Sequence, residues 1–130
     1  AITNITYATD YSYTMNSRCL KTMSELMKKN PAARLHVVNI QRPGEIMTAE
    51  QISGKVWLEP TLEELSHEYH NIENSSVEAG LEAFLTKTTS QMLVMVAHKH
   101  SWWERLFSGS HTREMVYKAH IPLLVLQDKD

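Results

Sequence analysis

Apolar and polar residues alternate through ITNITYA, Ile2 to Ala8, the two-residue period of a strand with one buried face. TDYS follows, where Asp10 and Ser12 supply turn and cap chemistry. Met15, Cys19, Leu20, Met23, Leu26 and Met27 then recur at three-, four- and seven-residue spacings, which is one face of a helix. KKNPAA ends it, with lysines suited to the negative helix terminus and Pro31 unable to continue the ladder. LHVVNI, Leu35 to Ile40, is a β-branched apolar run and predicts a strand buried on both sides. After the loop QRPGE the pattern from Ile46 to Leu65 is helical, but Gly54 and Pro60 predict broken or short helices. HEYHNIE, His67 to Glu73, alternates weakly and predicts a strand at a sheet edge.

In SSVEAGLEAFL, Ser75 stands three residues before Glu78, a capping-box spacing, and Val77, Leu81, Phe84 and Leu85 share one helical face. MLVMVA, Met92 to Ala97, is the clearest buried strand. Beyond it Ser110 is placed to cap a helix carrying Met115, Val116 and Ala119 inward, and Pro122 opens a last strand, PLLVLQ. Strands alternating with helices require parallel pairing through right-handed crossovers. The expected fold is therefore α/β, an open parallel sheet of five strands with helices on both faces. Ligands in such sheets lie beyond the carboxyl ends of the strands where strand order reverses. Thr9-Asp10 and the stretch from Ala97 to Ser110 are the candidate walls.

Composition narrows the partners. The 130 residues are expected to form one domain, 1–130, and carry 13 basic against 15 acidic side chains. That balance offers no broad field for nucleic acid or an anionic membrane. The single cysteine, Cys19, excludes an internal disulfide and fits a reducing compartment. No apolar run nears the ~18–20 residues that span a bilayer, and no signal-peptide pattern opens the chain. A cytoplasmic location is expected. Ala1 in place of methionine fits a domain cut from something longer.

YATDYS, LHVVNI, LVMVAHK and above all RLFSGSHTREMVYKAHIPLLVL resemble the universal stress protein family across essentially the whole chain. The resemblance implies the Rossmann-like strand order 3-2-1-4-5 and a nucleotide crevice. ATP-binding members carry Gly, two residues, Gly, nine residues, Gly, then Ser or Thr. Laid on this chain without gaps, that pattern meets Val96, Lys99, Gly109 and Ser110, so the spacing survives while two of three glycines are replaced. Glycine lets main-chain amides approach phosphate and take positive φ, whereas a β-branched valine resists both. A lysine at the second position cannot rebuild a backbone cradle. A degenerate site without ATP is therefore expected, similar to the branch that does not retain the nucleotide; ATP binding with switch behaviour is the alternative. The resemblance further implies that Asp10 lies near the nucleotide and its metal, and Val37 or Val38 beside adenine. It also implies pairing of the strand Pro122 to Gln127 with a homodimer mate, or with the sister domain of a tandem protein whose C-terminal copy this chain resembles.

Each feature has a plainer reading. Asp10 and Ser110 are good turn and cap residues, and Val37 suits a packed strand. His98, His100 and His111 lack the further ligands of a tetrahedral zinc set, while His36, His67, His70 and His120 are scattered and point to nothing. Trp102 and Trp103 beside Lys99 and Arg105 fit a lid or a protein contact better than base stacking, given the net negative charge. No G-x-S-x-G elbow is present, Cys19 lies on an inward helix face, and Glu63-Glu64 sit in adjacent helical positions. A non-catalytic binding or scaffolding domain is expected.

Overall fold

A computed structural model describes residues 2–12, 16–97, 110–118 and 120–127. Five strands, β1 (Asn4–Ala8), β2 (Arg34–Gln41), β3 (His67–Glu73), β4 (Met92–Ala97) and β5 (Leu123–Gln127), form one parallel sheet in the order β3-β2-β1-β4-β5. Among the described residues four helices connect them: α1 (Ser17–Lys29), α2 (Ala49–Thr61), α3 (Val77–Lys87) and α4 (Ser110–Lys118). The expected order and both edge strands are observed.

Side-chain alternation along the strands splits the core into two layers. Ile5, Tyr7, Leu35, Val37, Val94 and Val96 face Cys19, Met23 and Met27 of α1 and Leu58 of α2. Ala8, Val38, Ile40, Leu93 and Met95 face Val77, Leu81, Phe84 and Leu85 of α3 and Val116 of α4. Right-handed crossovers dictate this division: the chain steps outward twice from β1, then returns across it to β4 and β5.

Two local expectations are corrected. The span from Ile46 to Leu65 holds a single helix, Ala49–Thr61, rather than fragments: Thr48 closes a full capping box with Gln51, and Pro60 stands one residue from the end, so the helix stops just beyond it. Ser76, not Ser75, caps α3, its hydroxyl accepting from the Ala79 amide at 3.2 Å. Asn74 supplies the preceding turn by accepting from the Ser76 amide at 2.9 Å, which shifts the cap one residue.

Gly80 lets α3 lie close on β2. A Cβ there would meet Ile40 Cγ2 at 2.9 Å and Asn74 Cβ at 3.3 Å. Replacing an interior helical glycine with alanine ordinarily stabilises by about 1 kcal/mol. Here overpacking against a stiff β-branched side chain, about 1–3 kcal/mol, outweighs that gain. Gly80→Ala is expected to lower the midpoint of urea unfolding; a raised midpoint would show that the two layers have slack.

Candidate functional site

Strand order reverses at β1, which is flanked by β2 and β4, so the crevice beyond its carboxyl end is the natural ligand position. The Thr9 amide donates to Val38 O at 3.0 Å, extending the ladder one residue past β1. Asn39 Nδ2 donates to Thr9 O at 3.1 Å from the opposite wall. The chain then turns tightly: the Tyr11 amide donates to Thr9 Oγ1 and the Ser12 amide to Asp10 Oδ1, each at 3.0 Å. Tyr11 takes φ 70°, a left-handed conformation that opposes a bulky side chain. Its ring is only 2% exposed and belongs to the α1/α2 layer, which holds the strained turn in place. Lys55 Nζ lies 5.6 Å from the centre of that ring and 6.0 Å from that of Tyr69. Burial raises the Tyr11 phenol well above its ordinary range and pushes Tyr69 up to about 12.

Asp10 is partly buried at the mouth of the crevice, and burial raises its carboxyl above the ordinary value, partly offset by the Ser12 amide. Val37 is fully enclosed in the α1/α2 layer. Val96 is 5% exposed, paired with Leu126 inside β4. Tyr7 pairs with both Val37 and Val94, and Val37 and Val96 share one buried layer with it. Ser110 opens α4. Lys99 and Gly109 lie outside the described residues, as do His98, His100, Trp102 and Trp103.

Asn39 adds a feature that sequence reading missed. Its Oδ1 is buried and, among the described residues, has no hydrogen-bond partner. An orphaned acceptor beside Thr9 fits a ligand donor such as an exocyclic amine. The signal available in sequence was an amide inside an otherwise apolar strand.

A second cluster was also missed. His36 and His70, read as scattered, are brought together by the β2–β3 register, which sets His36 opposite Glu68 and leaves His70 two residues further on the same face. His36 Nδ1 lies 3.0 Å from His70 Nε2, and each is 3.9 Å from Glu68 Oε2. Arg34 Nε holds that carboxylate at 3.3 Å. Phe84 covers the pair, its ring centre 6.0 Å from that of His36 and 4.8 Å from that of His70. Burial lowers the basicity of both imidazoles.

The fold has known counterparts. Residues 1–127 match the universal stress protein family, and the chain belongs to it. Among curated proteins no significant sequence match is found. The fold resembles a universal stress protein from Archaeoglobus fulgidus at TM-score 0.62 and 18% identity, covering 96% of this chain and 98% of that one. A universal stress protein in complex with cAMP aligns at TM-score 0.64 and 14% identity over 99% of both chains. The Archaeoglobus fulgidus protein in complex with dAMP aligns at TM-score 0.58 and 18% identity, covering 95% and 96%.

The raised Asp10 carboxyl carries a sign. A native state that holds the proton more tightly than the unfolded chain is favoured as pH falls through that raised titration range, and the bare charge opposes folding above it. Asp10→Asn retains the acceptor for the Ser12 amide. It is expected to raise the thermal midpoint slightly at pH 7, with the difference from the parent shrinking as the solution is acidified. A lowered midpoint at pH 7 would contradict this.

Proposed function

We propose that this universal stress protein domain is a binding module that does not retain ATP and acts through protein association rather than turnover. The observation that carries the reading is Val96. At the first glycine position of the ATP pattern the chain is still inside β4, paired with Leu126 and with its side chain packed in the core. A backbone committed to the ladder has no freedom to curl around a triphosphate. Tyr11, packed at the end of β1, further narrows the approach.

Association has its own support. β5 is an edge strand, and Leu123 and Val125 are 38% and 40% exposed on the face that continues Leu93 and Met95. An apolar parallel edge favours a partner strand. The partner in this reading is a second copy of the chain or the sister domain of a tandem protein in which this is the C-terminal copy. A cytoplasmic setting accords with the single buried thiol, and among the described residues no helix is long and apolar enough to cross a membrane.

A second reading has a specific observation behind it. Among the described residues Asn39 Oδ1 meets no donor, and two neighbours of similar fold are complexes with cAMP and dAMP. Each of those ligands has one phosphate, so the missing glycine cradle matters less. Asn39, Thr9 and Asp10 would then meet a base and ribose.

Thermal unfolding with millimolar nucleotide separates the readings. A ligand at 100 times its Kd stabilises by about 2.7 kcal/mol. With ATP and Mg²⁺ no shift is expected; a rise of several degrees would overturn the proposal, and a rise with AMP alone would favour the second reading. Light scattering is expected to give a dimer that Val125→Lys converts to a monomer; a parent that stays monomeric at high concentration removes the association through β5.

A further inference from the structure

We propose that His36, Glu68 and His70 form a binding site for a divalent transition metal ion, clamping the edge strand β3 to β2 at a place remote from the crevice. Three donor groups that share a preference for zinc-like ions converge: two imidazole nitrogens and a carboxylate oxygen. In a tetrahedral site with bonds near 2.0–2.1 Å, neighbouring donors stand about 3.3 Å apart. The separations here are 3.0, 3.9 and 3.9 Å, so closure around an ion needs movements of only a few tenths of an ångström.

The surroundings orient the donors. Asn4 Nδ2 donates to Thr88 O at 3.1 Å, which turns Asn4 Oδ1 toward His36. His36 Nε2 lies 3.0 Å from that oxygen and must therefore be the protonated nitrogen. Its Nδ1 lone pair is then aimed at His70. This is an outer-shell hydrogen bond that fixes the tautomer and ring orientation of a ligating histidine. Phe84 packs against both rings and limits their rotation. Arg34 Nε and both imidazoles face the same oxygen, Glu68 Oε2, so ligation requires this exposed carboxylate to turn and offer Oε1 to Arg34, or to share Oε2 between the ion and the guanidinium. A groove of about 510 Å³ runs beside His70 and Phe84, bordered by Ile72, Gly80 and Lys87.

The ion would act as a staple. β3 has few apolar side chains to bury, and a bond network from β2 to two β3 residues replaces the core it lacks. Mg²⁺ is not expected to substitute, because it prefers oxygen donors and near-octahedral geometry.

The test is titration of the chelator-treated, dialysed full chain with Zn²⁺ by calorimetry, and with Co²⁺ by visible absorption. One equivalent is expected, with the strong d–d bands of a tetrahedral cobalt centre and a higher thermal midpoint with Zn²⁺. His70→Ala is expected to weaken binding by at least about 100-fold and Asn4→Ala by about 10- to 100-fold. The triple variant His98→Ala, His100→Ala, His111→Ala is expected to bind as the parent does. Should His70→Ala fold poorly, the nitrogen resonances of His36 decide: Zn²⁺ should move Nδ1 and leave Nε2 protonated. Undiminished binding in His70→Ala, loss of binding in the triple variant, or a His36 ring unmoved by Zn²⁺ would each overturn the site.

Discussion

β1 is enclosed on both faces by side chains and on both edges by neighbouring strands, so its backbone has no water to bond. Each buried amide and carbonyl must be paired within the sheet or left at a penalty of about 1–3 kcal/mol. β2 and β4 provide those partners in parallel register. Even Thr6, polar and fully buried, is matched by Ser90 at 2.7 Å. The central position of this strand fixes the reversal of strand order, and the reversal fixes the crevice.

The turn beyond β1 is shaped by that enclosure. The last ladder bond comes from Thr9, after which the chain must leave the sheet and reach α1. Local bonds from Thr9 and Asp10 make the turn, and the buried Tyr11 ring holds a backbone conformation that its side chain would otherwise disfavour. The same rule acts on the opposite wall. At position 96 a valine is still paired within β4, opposite Leu126. Asn39 Oδ1 is buried and has no hydrogen-bond partner among the described residues, while its Nδ2 bonds Thr9 O.

The far edge is governed by different chemistry. β3 is polar for a strand and is held by its complete ladder to β2 and by the contacts among His36, Glu68, His70 and Arg34. The two edges thus differ in kind, β3 polar and rich in potential metal donors, β5 apolar and suited to another strand.

Local pattern was enough for the order of strands and helices and for the buried faces of α1 and α3, because a period of two or 3.6 in apolar residues reports which side is hidden, while the Met115 side chain and Ala119 lie outside what is described. Val77, Leu81, Phe84 and Leu85 illustrate it: all four are buried where their spacing placed them. Family resemblance added the strand order, which the sheet follows. The cap of α3 and the continuity of α2 depended on hydrogen-bond geometry, from Asn74 and Gln51, that spacing alone leaves open. Tyr11 gave no sign of its left-handed backbone, since the burial that enforces it comes from α2 and the sheet. The pairing of His36 with His70 lay further out of reach. Those residues are 34 apart in sequence, and only the register between β2 and β3 makes them neighbours. Sequence by itself determined which surfaces must be hidden from water; the tertiary structure decided which polar groups meet, because side chains from separate strands become neighbours only once the ladder sets their register.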